Sequence, residues 1–195
     1  MSLPKVFLRP IGIRTGRIRA RMEESGLALR PYHLRDLAVL RSLCRRERFF
    51  ADRGRQPGNF SSLFSFWKWL RITFQVFYVI DVQENDAHGI IGFLAIYNIQ
   101  LGRELWLSLA LFDAKDRGQG YGRRALRLLL SALQEDRLVK TVCGEVLRTN
   151  TRSLRLLQEL GFEAYGYDDD RLLFRKRVGE ATEAAHSRTG EQTRA

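Results

Sequence analysis

The sequence predicts one α/β (α+β) domain, a mixed and mostly antiparallel sheet with helices on both faces. Three observations carry this expectation. The first is element order: helical and strand-like periodicities alternate as β-α-α-β-β-β and then α-β-α-β-β. The second is that the three middle strand signals are joined by hairpin-length connections, which makes them an antiparallel meander. The third is that 195 residues, 45% hydrophobic and 28% charged, suit one soluble core, with no linker or internal repeat to divide the chain.

Each element has a local reason. Leu27–Pro31 is a short strand stopped by proline. His33–Arg45 carries Leu34, Leu37, Leu40 and Leu43 at helical spacing. Arg46–Asn59 is charged, holds Gly54, Pro57 and Gly58, and reads as a loop. Phe60–Leu70 is aromatic and helix-like. Phe74–Val82, Gly89–Tyr97 and Glu104–Phe112 are β-branched and aromatic runs. Gly118–Gly122 opens a helix that runs through Leu133, burying Leu126, Leu129, Leu130 and Leu133. Thr141–Leu147 is a strand, Ser153–Leu160 a helix, and Phe162–Tyr167 and Arg171–Lys176 are closing strands. The expected organisation is a basic arm over 1–21, the folded domain over 22–177 and a polar tail over 178–195.

Composition excludes several classes. The longest apolar run, Ile72–Ile80, is broken by Gln75 and falls short of the ~20 residues that span a bilayer, so no membrane partner is expected. Cys44 and Cys143 form no CxxC pair, which points to a reducing, cytoplasmic setting. His33, His88 and His186 stand apart, so no metal site is expected. The net charge is +11, and Lys5, Arg9, Arg14, Arg17, Arg19 and Arg21 supply much of it from an acid-free arm. That arm reads as a solvated extension, as sequence upstream of a natural start at Met22, as an organelle transit segment, or as a nucleic-acid or ribosome contact. The oligomeric state, monomer or homodimer, stays open.

The run Leu109-Ala110-Leu111-Phe112 followed by Arg117-Gly118-Gln119-Gly120-Tyr121-Gly122-Arg123 carries the chemistry. A strand enters a glycine-rich turn that opens a helix. Glycines let successive N–H groups converge, and the helix N-terminus adds partial positive charge, which together suit a pyrophosphate. A tight βα corner explains the glycines equally well. A Walker A loop is excluded because Arg123 follows Gly122, and a Rossmann fingerprint because the spacing is Gly118-x-Gly120-x-Gly122, after a meander.

Arg117-x-x-Gly120-x-Gly122 resembles the acyl-CoA signature of the GNAT superfamily of N-acetyltransferases. Asn150-x-x-Ser153 through Gly161-Phe162 is similar to a second block of that family, and the resemblance spans Leu27 to Lys176. Asn150-x-x-Ser153-x-Arg155-x-Leu157, with Leu29-Arg30-Pro31 and Asp36, leans toward the branch containing the ribosomal-protein N-terminal acetyltransferases. The resemblance implies acetyl-CoA as co-substrate, no metal, and a primary amine as acceptor. It assigns the pantetheine arm to Ala110, Leu111 and Phe112, and the pyrophosphate to the amides of Arg117, Gly118, Gln119, Gly120, Tyr121 and Gly122. Arg123, Arg124 and Arg127 are further phosphate contacts or a solvated helix face. Asn150 and Ser153 match positions at the pantetheine end.

For catalysis, an ammonium must lose a proton before it attacks a thioester. Glu145 matches a catalytic glutamate of some family members, or is an exposed strand carboxylate; Glu104 is the alternative base. A strand N–H near Phe112 is expected to hold the oxyanion. The family's acidic tyrosine is replaced by Leu157, with Ser153 as a substitute and Tyr165 and Tyr167 as weaker ones. Phe60, Phe64, Phe66, Trp67 and Trp69 form either core or one wall of the acceptor cleft. Asp168-Asp169-Asp170 reads as a solvated turn or an acidic lip. The competing functions are an acyl-CoA-binding regulatory module without catalysis and a ribosome- or RNA-associated factor.

Overall fold

The computed structural model describes residues 21–46, 62–84 and 87–178. The strands are β1 (Met22–Glu24), β2 (Leu27–Pro31), β3 (Val76–Glu84), β4 (Ala87–Gln100), β5 (Glu104–Leu111), β6 (Thr141–Leu147), β7 (Glu163–Asp168) and β8 (Arg171–Arg177). The helices are α1 (Asp36–Arg46), α2 (Leu63–Thr73), α3 (Tyr121–Asp136) and α4 (Thr151–Glu159). All strands join one sheet in the order β1-β2-β3-β4-β5-β6-β8-β7. Every neighbouring pair is antiparallel except β5 and β6.

The layering follows from the connections. The steps from β5 through α3 to β6, and from β6 through α4 to β7, move the same way along the sheet. Right-handed crossovers therefore send α3 and α4 to the same face. There Leu126, Leu129, Leu157 and Leu160 pack on Leu105, Leu107, Val142, Val146 and Phe174. The other face carries α1 and α2, whose Leu37, Leu40, Phe66 and Leu70 pack on Phe77, Val79, Phe93 and Ala95. Among the described residues this second core reaches no further along the sheet than Ala110 of β5 and Phe112 just after it.

Several boundaries differ from the sequence expectation. The added strand β1 turns into β2 through Ser25 and Gly26, both at positive φ, the geometry of a two-residue hairpin. Helix α1 begins at Asp36, not His33, because the Asp36 carboxylate accepts the His33 N–H at 2.7 Å. Leu34 thus precedes the helix and is 77% exposed. Asp36 also pairs with Arg30 at 2.7 Å, and Arg30 reaches Asp81 at 2.6 Å, locking α1 to β2 and β3. Burial alone would raise the Asp36 carboxyl, but the Arg30 guanidinium and the His33 amide outweigh it and hold it below the ordinary carboxylate range. Helix α2 starts after Ser62, where Ser62 and Ser65 form a reciprocal capping box. Phe66 is its buried aromatic and Phe64 its exposed one; Phe60 lies outside the described residues. Val178, expected to open the tail, is buried, and its N–H donates to the Lys140 carbonyl at 2.9 Å. The arm over 1–20, most of the expected loop and residues 179–195 lie outside the described residues. Among the described residues no helix is long and apolar enough to cross a membrane.

Candidate active site

The parallel pair β5–β6 is short. It holds Glu104↔Thr141, Leu105↔Val142 and Trp106↔Cys143, and then stops. β5 continues to Leu111 against β4, while β6 continues to Leu147 against β8. The sheet therefore parts beyond Trp106 and Cys143, leaving a wedge with those two residues at its vertex.

Ladder alternation fixes what faces the wedge. The Phe112 N–H donates to the Ile91 carbonyl at 2.9 Å, and Gly92↔Leu111 is the adjacent pair. The amides of Leu109 and Leu111 consequently point toward β6, and those of Ala110 and Phe112 toward β4. The Phe112 amide is thus committed to β4, and the strand N–H groups near it that face the wedge are those of Leu109 and Leu111. The close approach of β4 requires Gly92, where a Cβ would stand 2.3 Å from the Ala110 carbonyl oxygen.

At the end of β5 the chain turns through Ala114–Asp116 into α3. Gly118 and Gly120 hold φ of +88° and +84°, and nothing lies within 4 Å of where a Cβ would stand at either. This is an open cradle of backbone, and only glycine adopts both conformations without strain. Gly120 is the N-cap of α3 and supplies no side-chain hydrogen bond, so the first-turn amides of Tyr121, Gly122 and Arg123 face the loop. Gln119 is exposed beside the glycines, and the Tyr121 side chain is buried in the core. Gly122 differs from its neighbours: a Cβ there would make ordinary contacts with Leu109 and Leu156.

The arginines are largely engaged within the protein. Arg117 donates to the Leu111 carbonyl at 3.2 Å and the Phe112 carbonyl at 3.2 Å, bracing the corner. Arg123 pairs with Glu159 of α4. Arg124 pairs with Glu84 and donates to the carbonyls of Glu24 and Ser25 at 2.9 and 2.7 Å, tying α3 to the hairpins of β1–β2 and β3–β4. Asn150 is the N-cap of α4, its Oδ1 accepting the Ser153 N–H at 3.1 Å. Leu157 is buried in the core under α4.

Side-chain parity places the two glutamates on the α1–α2 face of the sheet. Trp106 and Cys143 share that face, and Glu104 and Glu145 each lie two residues from them, in opposite directions. Glu145 stands on the wedge side of the vertex and Glu104 on the closed side, about 13 Å apart along the strands. Glu145 is partly buried, with Arg171 at 3.6 Å. Glu104 accepts from the Trp106 indole N–H at 3.3 Å. Burial first, and then the Glu104 charge, push the Cys143 thiol up to about 11, with Arg175 opposing. Trp106, Ser108 and Arg171 also border this site, beyond the residues that the sequence motifs mark. Strand parity marks Trp106 and Ser108 as same-face neighbours of Glu104, but the Glu145–Arg171 pair needs the β6–β8 register.

Coenzyme A fits this chain on its own geometry. An extended arm can lie along the amides of Leu109 and Leu111, and a diphosphate can occupy the cradle at Gly118 and Gly120. The class so defined is an acyltransferase working from a coenzyme A thioester. A family model described as an acetyltransferase (GNAT) domain matches residues 27–163, and the chain belongs to that family. It is an N-acetyltransferase, and transfer in this family depends on acetyl-CoA. Solved structures share the fold at low identity. Ribosomal-protein-S5-alanine acetyltransferase from Vibrio fischeri is 19% identical with a TM-score of 0.64, covering 82% of this chain and 97% of its own. Spermidine N-acetyltransferase from Vibrio cholerae, in complex with CoA and spermine, is 16% identical with a TM-score of 0.66, covering 80% and 97%. Mycobacterium smegmatis RimJ, in complex with CoA-disulfide, is 20% identical with a TM-score of 0.61, covering 78% and 82%. Among curated proteins, none matches this sequence.

Proposed function

We propose that the acceptor is a primary amine, a protein N-terminus or a small-molecule amine, and that Glu145 removes its proton. The carrying observation is the position of Glu145 beside the wedge, on the face that α3 and α4 do not cover. With those helices closing one face, an acceptor reaches the wedge only from the other, where Glu145 waits. Acetyl-CoA, when bound, supplies the activated acetyl thioester. The chain's own groups do the rest. The cradle at Gly118–Gly120 and the amides of Leu109 and Leu111 hold and align the donor, and alignment itself provides much of the rate. The Leu111 amide takes the oxyanion role, because it faces the wedge. Glu145 accepts the ammonium proton directly or through water. The amine nitrogen then bonds the acetyl carbon, the carbon–sulfur bond breaks, and the nitrogen's second proton passes, directly or through water, to the departing thiolate. A thiol with a pKa near 8.5 departs without a dedicated acid, so Leu157 does not preclude turnover.

The lean toward the ribosomal-protein N-terminal branch rests on Asn150-x-x-Ser153-x-Arg155 and on the fold shared with the Vibrio fischeri enzyme. The test is thiol release from acetyl-CoA with an alanine-starting hexapeptide and with spermidine as acceptors. Glu145→Gln is expected to lower kcat about 10²–10⁴-fold while acetyl-CoA affinity holds. Glu104→Gln is expected to stay near wild type. The opposite pattern would move the base to β5.

A further inference from the structure

The edge strand β7 carries an irregularity with a use. Its pairing with β8 slips by one residue between Ala164 and Gly166, so Tyr165 and Gly166 together oppose Leu173. This is a β-bulge, a device that re-aims a side chain beside a site and blunts an open edge. Leu173 is in turn the partner of Glu145 on β6. The bulge therefore lies on the same row as Glu145, two strand spacings away, about 10 Å.

Tyr165 leans back from the edge toward the vertex. Its ring lies under the guanidinium of Arg175, 5.3 Å from the ring centroid. Arg175 is the partner of Cys143, one of the two vertex residues. Burial first, and then Cys143 and Glu104, raise the Tyr165 phenol, with Arg175 opposing. Yet the residue is 42% exposed. It is held by a cation stacked on its ring, on a stretch of sheet that, among the described residues, lies beyond the α1–α2 core. A large aromatic so placed is available to an incoming molecule.

We propose that Tyr165, braced by Arg175, is the side wall of the acceptor site and sets which amine is accepted. This rests on the amine-acceptor reading above. An acceptor approaching Glu145 from the face opposite α3 and α4 passes between the Trp106 ring at the vertex and the Tyr165 ring at the edge. The ring supplies apolar contact to the group that bears the amine, and the protonated hydroxyl can donate to an acceptor carbonyl. Gly166, with no side chain, leaves room beside it. Arg175 fixes the ring's tilt and acts on the acceptor only through it, as a positioning residue.

The experiment measures kcat and KM separately for an alanine-starting hexapeptide and for spermidine, with acetyl-CoA KM and the acetyl-CoA melting shift as controls. Tyr165→Ala is expected to raise the KM of the preferred acceptor about tenfold, the size of one aromatic contact, and to narrow the preference between the two probes. Its kcat at saturating acceptor stays within about threefold, and acetyl-CoA KM does not move. Tyr165→Phe separates ring from hydroxyl: if the hydroxyl donates to a peptide carbonyl, only the peptide KM rises. Arg175→Leu raises acceptor KM by a smaller factor, and Arg175→Lys restores it. Unchanged acceptor KM values in an active Tyr165→Ala enzyme would overturn the proposal, as would an equal rise in acetyl-CoA KM. Wild-type protein that binds acetyl-CoA but acetylates neither probe overturns the amine-acceptor reading instead.

Discussion

Substitution of Gly120 separates the cost of a strained backbone from the cost of a lost ligand. The residue sits at φ +84°, with nothing within 4 Å of a Cβ position. Gly120→Ala therefore meets no clash, only the left-handed conformation, worth about 1–2 kcal/mol. In a chain of this size each kcal/mol moves the melting temperature by about 2–4 °C, so the ligand-free variant melts about 2–8 °C below wild type. Gly120→Asp incurs less strain, since aspartate tolerates this region better than alanine. It also puts a carboxylate into the cradle, where a diphosphate would meet like charge. Acetyl-CoA at a hundredfold excess over its Kd adds about 2.7 kcal/mol to the folded state, an upward shift of about 5–10 °C. The assay is a thermal melt of each protein with and without acetyl-CoA. Wild type shifts fully, Gly120→Ala in part, and Gly120→Asp not at all. A full shift in Gly120→Asp would refute the assignment of the cradle to the pyrophosphate.

Other perturbations test other parts of the argument. Gly92→Ala drives a Cβ against the Ala110 carbonyl at the rim of the wedge, so it should destabilise by about 1–3 kcal/mol or more and weaken acetyl-CoA binding, both read from melts. The Cys143 thiol, held at about 11 against an ordinary 9.0, ionises more easily in the unfolded chain. Stability from this group is complete below pH 9 and falls as pH rises toward 11; denaturant titrations at stepped pH should show Cys143→Ala losing part of that alkaline sensitivity. Among the described residues the buried core begins at Met22, so deleting residues 1–21 should hold the melting temperature and the acetyl-CoA shift within about 2 °C; a larger drop would show that the arm packs on the domain.

The glycine cradle was legible because its information is local. Gly118 and Gly120 are spaced for a turn, and a helix with Leu126, Leu129, Leu130 and Leu133 on one side must follow it. The meander was legible for the same reason, since strand periodicity and short connections involve residues close in the chain. Strand β1 escaped because three residues are too few to show a period, and its signal, the Ser25-Gly26 turn, gains meaning only once β2 is paired. The start of α1 moved from His33 to Asp36 because a side-chain bond, not apolar spacing, sets it.

The sequence by itself determined the order of every element after β1, the cradle and the candidacy of Glu145 and Glu104, because periodicity and turn chemistry act over a few residues. Only the tertiary structure decided where β5 and β6 part, which face each glutamate occupies and which amides turn toward the wedge. It also decided that Arg117, Arg123 and Arg124 are spent on internal contacts and that Asn150 caps a helix. Those outcomes depend on strand register, which is set by pairing between segments as distant as Trp106 and Cys143, or Cys143 and Arg175. A one-residue slip would turn each of these side chains to the opposite face. Register belongs to the cooperative packing of the whole sheet against its two layers of helices, and no local stretch of sequence encodes it.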